Sequence, residues 1–259
     1  MVRKWIAGAL AACLPLVAFG DDLSALATPV DLAAPAATAD FENLLQPVGL
    51  VRGDDGTANR FYIAPIVGAS WGEMVPLCDC VPAMNGNLLT AGGAVGMAFA
   101  RPLGQWRTEV EGRYRDGFER NLPLFPDLQT PIGITDNWSA MFNVWRDIPV
   151  TGRFGAYGGG GIGAGGSRFL LSETDGIESL SSNQQTAAFA WQVGGGFIHA
   201  VSDRVTLDLG YRYYSTAAAT STIYATAPGF PPTPFDNLNT QFLASELLFS
   251  LRIYEPFRR

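Results

Sequence analysis

From Trp106 to Phe118 the sequence changes chemistry at nearly every step. Even positions carry Trp106, Thr108, Val110, Gly112, Tyr114 and Phe118, and only Asp116 breaks that set; the odd positions from 107 to 115 carry Arg107, Glu109, Glu111, Arg113 and Arg115. Side chains of a strand point alternately to its two faces, so this segment reads as a strand with one apolar and one ionic face. A soluble barrel or sandwich would turn the apolar face inward. Here the alternation stands beside many glycines and outward-facing aromatics, and lipid on the apolar side accounts for all three.

Composition agrees. Hydrophobic residues make up 47% of the chain and charged residues 16%, against about 25% charged in an ordinary soluble domain. After the first twenty residues no apolar run is long enough for a membrane-spanning helix, which needs about 20 residues. Apolar residues that are abundant but interrupted suit strands with one face in lipid.

The pattern recurs downstream. Val205, Leu207, Leu209, Tyr211 and Tyr213 alternate with Thr206, Asp208, Gly210, Arg212 and Tyr214. More loosely, Leu243, Leu247, Phe249, Leu251 and Ile253 oppose Ala244, Glu246, Ser250 and Arg252. Further strands are predicted near 61–71, 88–99, 137–146, 153–164 and 187–199. They place small residues on the inner face, such as Ala64 and Gly68, or Gly92, Ala94, Gly96 and Ala98, which leaves room for large side chains from other strands. Pro65 lacks a ladder donor and predicts a bulge or a late strand start.

Connections alternate in length: long at 72–87, 119–136, 165–186 and 215–240, short at 101–105, 147–152 and 201–203. Bacterial barrels have long loops outside and short periplasmic turns, so both ends of the barrel segment are predicted on the periplasmic side. Trp71, Phe118, Trp138, Phe189, Trp191 and Tyr213 then fall at the outer interface, and Phe61, Phe99, Trp106, Phe154 and Phe197 at the inner one. Two such aromatic girdles are a barrel signature.

The first residues read as an export signal, 1–20: Arg3 and Lys4, an apolar stretch from Trp5 to Phe19, and a small-x-small end at Ala18-Phe19-Gly20. Leu10-Ala11-Ala12-Cys13 also has lipoprotein-signal residue types, although the apolar run continues past it. Residues 21–59 are Ala/Pro-rich without period-two pattern and read as an irregular N-terminal extension, in the periplasm or entering the barrel as a plug. The barrel is assigned to 60–259. A net charge of −7 argues against nucleic acid or another polyanion as partner. Cys78 and Cys80, in Cys-Asp-Cys, form a tight disulfide, a free pair or a weak metal site, but two cysteines without a histidine do not make a zinc site. Glu173, Asp175 and Glu178 make one connection acidic, either solvated or suited to Ca²⁺.

Met141-Phe-Asn-Val-Trp-Arg-Asp-Ile-Pro149, Phe154-Gly-Ala-Tyr-Gly-Gly-Gly-Gly-Ile-Gly-Ala164 and Asp208-Leu-Gly-Tyr-Arg-Tyr-Tyr214 resemble the outer-membrane protein β-barrel domain family, the small OmpA-like and porin-like barrels. The resemblance runs from about Arg60 to the C-terminus. Two departures stand out: Ala156 replaces the usual Pro before the Tyr, and the sequence ends Phe257-Arg258-Arg259. The resemblance implies a bacterial outer-membrane location and no single activity.

Catalytic and cofactor candidates weaken on inspection. Gly161-x-Gly163-x-x-Gly166 matches a dinucleotide fingerprint in form, but that motif needs a buried strand before it and a helix after it. His199 is the one histidine, at the periplasmic end of its strand, away from where a hydrolase of outer-leaflet lipid needs its base. The strongest cluster is the luminal set Arg107, Glu109, Glu111, Arg113, Arg115, Asp208, Arg212, Glu246 and Arg252, read as an ionic core in which Arg212 reaches Glu246. No catalytic, cofactor or metal residue is assigned.

The sequence thus predicts an all-β chain: a single transmembrane antiparallel up-and-down β-barrel of about eight strands behind an irregular N-terminal extension. It predicts a monomer in outer-membrane lipid, with a structural or surface-interaction role through loops that carry no recognised motif, and a lumen closed by paired charges. Alternatives are a narrow ion or solute pore and an outer-membrane lipid-modifying enzyme.

Overall fold

The computed structural model describes residues 59–77, 82–101, 103–125, 128–174 and 179–257, without the side chains of 122–129 and 173. The export signal, the N-terminal extension, Cys78, Cys80, Asp175 and Glu178 lie outside the described residues. Strands dominate: β1 (Arg60–Pro76), β2 (Met84–Arg101), β3 (Gly104–Arg115), β4 (Phe118–Phe125), β5 (Leu128–Thr151), β6 (Phe154–Thr174), β7 (Ser179–Ser202), β8 (Val205–Thr216), β9 (Ala219–Thr226) and β10 (Thr233–Tyr254). All ladders are antiparallel, and β1 pairs with β10 from Tyr62↔Tyr254 to Pro76↔Thr240, which closes the ring. β4 continues the line of β3 along β5, and β9 that of β8 along β10. The ten strands therefore make eight staves, the up-and-down antiparallel barrel read from the sequence.

The staves are longer than a membrane requires. β5 and β7 each have 24 residues, about 80 Å at roughly 3.4 Å per residue, where about 10 residues cross a bilayer. The segments 119–136, 165–186 and 215–240, predicted as loops, are therefore mostly strand. The reason is a second core: Met74, Met84, Leu88, Ile132, Ile134, Phe169, Leu171, Leu238 and Phe242 are buried together there. Burying that set inside the ring outweighs leaving the segments as solvated loops, and strand pairing satisfies their backbone groups.

The barrel thus has two storeys. In the lower one, Phe61, Val67, Val95, Trp106, Val110, Phe142, Phe154, Ile162, Phe197, Leu209 and Phe249 lie exposed on the outer surface. That surface is apolar, as lipid requires. In the upper one, the outward residues of β7 are Asn183 and Gln185, both exposed.

Three staves change phase where the storeys meet. On β5, inward residues are odd-numbered from Asn137 to Asp147 and even-numbered from Thr130 to Ile134. The register shift lies between Thr135 and Trp138, where Asp136 adopts φ 49°. This is a bulge in which one extra residue exchanges the faces. The breaks at 116–117 and 217–218 do the same between β3 and β4 and between β8 and β9. Phe118 is consequently not in the outer girdle: it packs inward on the upper core and against Gly86.

Pro65 causes neither a bulge nor a late start. β1 begins at Arg60, and the β1–β10 register is the same at Ile63↔Ile253 and Ile66↔Ser250, with no pairing between them. The missing donor is absorbed by that short interruption of one ladder.

Candidate functional site

The interior of the lower storey is ionic because β3 sends every odd side chain into it. Arg107, Glu109, Glu111, Arg113 and Arg115 are each at most 4% exposed. β8 adds Asp208 and Arg212, and β10 adds Glu246 and Arg252, all buried as well. All nine residues singled out from the sequence thus occupy one layer inside the ring. The tenth charge, Asp147 on β5, was missed. It had been placed in a short turn, but β5 runs on to Thr151 and the odd parity of Asn143 and Trp145 carries Asp147 inward. Five arginines (107, 113, 115, 212, 252) thus face five carboxylates (109, 111, 147, 208, 246), and a further buried arginine, Arg60, lies over Tyr254 at the short-turn end and donates to the Asp203 carbonyl.

Pairing near the short-turn end centres on Asp147. It accepts from Arg107 Nε at 3.0 Å, Arg252 Nη1 at 2.6 Å and Gln105 Nε2 at 2.6 Å. Arg252 also donates through Nη2 to Asp208 at 2.6 Å. One level up, Glu109 accepts from Tyr62 Oη at 2.5 Å, Trp145 Nε1 at 2.7 Å and Asn143 Nδ2 at 3.1 Å. Glu111 is paired with Arg113 Nε at 2.5 Å and with Arg212. At the top of the layer Glu246 takes Arg113 and, at 2.7 Å, Arg115 Nε.

Arg212 and Glu246 are directly opposite in the β8–β10 register, yet the predicted pair between them is not the one made. Both point into the lumen, and each reaches across to charges of β3 instead. Aromatic faces fill the remaining space: Arg212 lies over Trp145 at 4.7 Å, and Arg115 over Tyr214 at 4.2 Å. Glycine on β6 makes room, since a Cβ at Gly161 would collide with the Asn143 side chain and one at Gly165 with the Tyr214 hydroxyl. This is why the glycine run sits in a stave. It belongs to an antiparallel ladder with β5 and β7 and leads into no helix.

Every carboxylate of the layer is paired with arginine, which offsets the cost of burying it. His199 faces outward at the short-turn end, its ring 4.4 Å from that of Phe154. No group of three His, Cys, Asp or Glu able to hold a metal occurs among the described residues.

The sequence matches the profile of the outer membrane protein beta-barrel domain over residues 10–242. Several solved structures are similar, among them the following three. Neisserial surface protein A (NspA) aligns at TM-score 0.40 and 16% identity over 74% of this chain and 96% of that one. The attachment invasion locus protein Ail of Yersinia pestis, solved in complex with the heparin analogue sucrose octasulfate, aligns at TM-score 0.35 and 13% identity over 73% and 99%. OprG from Pseudomonas aeruginosa aligns at TM-score 0.37 and 11% identity over 75% and 96%. No curated protein matches the sequence.

Proposed function

Because the chain belongs to the outer membrane protein beta-barrel domain family and sits in the bacterial outer membrane, we propose that it is a non-conducting, non-enzymatic barrel that holds a rigid strand-built platform above the cell surface. The single observation that carries this reading is the ion-paired layer. An eight-stave ring is only wide enough for side chains to fill, and here ten charged side chains pair across it. An ion path would need a row of mobile waters or a ring of one sign; alternating signs held by two or three partners each are the opposite arrangement.

The short turns and both barrel ends face the periplasm in this reading, and the upper storey faces out. The barrel is a monomer in outer-membrane lipid, its girdles at the two interfaces. Partners meet it through the hairpin ends of the upper storey.

Purified protein in planar bilayers tests the closed lumen. The expected record is a flat baseline at moderate voltage. Steady single-channel currents from the wild-type barrel would overturn the reading and put a narrow pore in its place.

A further inference from the structure

Between Arg212 and Asp236 the sequence has no charged residue at all. That run includes β9 and the end of the hairpin it forms with β10. There Phe230 is 72% exposed, Phe235 66% and Tyr224 37%. The end of the hairpin is rigid by construction. Ala227 to Phe230 make a turn closed by the Phe230 N–H donating to the Ala227 carbonyl at 3.0 Å, with Pro228 second and Gly229 third at φ 81°, the arrangement of a type II turn. Pro231, Pro232 and Pro234 follow directly. The position is also remote from the protein's own membrane. Below the tip aromatics, the last apolar outward residue of β10 is Leu243, and ten residues of tilted strand above it span about 25 Å.

Exposed aromatics on a water-facing hairpin lose free energy unless something covers them. Three properties decide what fits. The tip is convex, so it enters a surface rather than receiving a ligand. It carries no charge from Ala227 to Phe235, and the exposed carboxylate at its base, Asp236, together with the net charge of −7 disfavours an anionic surface. Four of the seven residues from 228 to 234 are prolines, which have no N–H to desolvate. Entering a bilayer is costly mainly for backbone donors that find no partner, and this tip has few.

We propose that the β9–β10 hairpin tip inserts Phe230 and Phe235 into the interface of an apposed zwitterionic lipid bilayer. This deepens the surface-interaction reading and rests on the upper storey facing out. Insertion itself needs only the tip.

The test uses the full barrel in nanodiscs, where both rims are accessible, floated with separate phosphatidylcholine vesicles. Orientation in the cell and lumen conductance therefore have no bearing on the result. The wild type is expected to co-float, with a partition coefficient little changed by 0.5 M salt, where the Debye length is about 4 Å and surface electrostatics are largely screened. Phe230→Ser and Phe235→Ser should each lower partitioning by about tenfold, while heat-modifiable migration on gels stays that of a folded barrel. Phe230→Trp should retain binding and add fluorescence that brominated vesicle lipid quenches. Failure of the wild type to co-float, equal co-flotation of the double serine variant, or binding confined to anionic vesicles and abolished by salt would overturn the proposal; the first result would turn attention to a protein partner.

Discussion

In the lower storey Val110 and Phe142 face outward while Glu111 and Asn143 face inward; in the upper storey Asn183 and Gln185 face outward while Ile132 and Phe169 face inward. The same staves run through both, so the backbone does not choose which chemistry goes where. The surroundings do. Lipid takes the apolar face below, and the narrow interior receives what lipid rejects; water takes the polar face above, and the interior receives what water rejects. In each storey the two faces stay unlike, and this is what specifies register, because a slip of one residue would exchange them all. An apolar lower lumen would have packed as well but would have left inside and outside alike. The bulge at Asp136 and the breaks at 116–117 and 217–218 adjust the phase where the requirement reverses.

The comparison is tested most severely from within the ionic layer. Glu111→Ala leaves Arg113 and Arg212 short of a partner in a buried site, and should cost about 3–5 kcal/mol in urea-dependent unfolding from lipid vesicles. A loss under about 1 kcal/mol would mean that water reaches the layer and that the storeys differ less than the burial suggests. The outer faces come next. Val110→Arg puts a charge in lipid and should cost about 2–4 kcal/mol, whereas Gln185→Arg, on the water-facing part of β7, should stay within about 0.5 kcal/mol. Comparable losses at both would move the membrane boundary upward. The upper core comes last. Ile134→Val removes one buried methylene and should cost about 0.5–1.5 kcal/mol, read as faster amide exchange in β4 and β5 with the lower staves unchanged. Acceleration spread evenly over all staves would show that the storeys unfold as one.

The lower storey was legible because its two faces differ at every residue. Trp106 to Arg115 cannot be read in another period, and the eight-stave ring, the antiparallel order and the outer-membrane location follow from segments like it. Asp147 escaped because Pro149 and Gly152 suggested an early turn, and parity from Asn143 would have recovered it. The upper storey was not legible for a physical reason. Many of its outward residues are Ser, Thr, Asn and Gln, the composition of a loop, and its phase changes put Phe118 and Ile134 on faces that counting from below assigns to the outside. Which carboxylate each arginine takes was equally hidden, because partners such as Arg212 and Glu111 meet across the lumen and not along a ladder.

The seam between β1 and β10 joins the two ends of the barrel segment, with Tyr62 beside Tyr254. It is the contact of longest sequence separation in the ring, and such contacts form slowly. The strand that arrives last also brings Glu246, on which Arg113 and Arg115 converge, and Arg252, which bridges Asp147 and Asp208. A chain still waiting for that strand leaves Arg115 without its carboxylate and Asp208 without its arginine, and it gains little by entering hydrocarbon early. Assembly is thereby biased toward a late, concerted commitment in which zipping the seam and discharging the interior are one kinetic event.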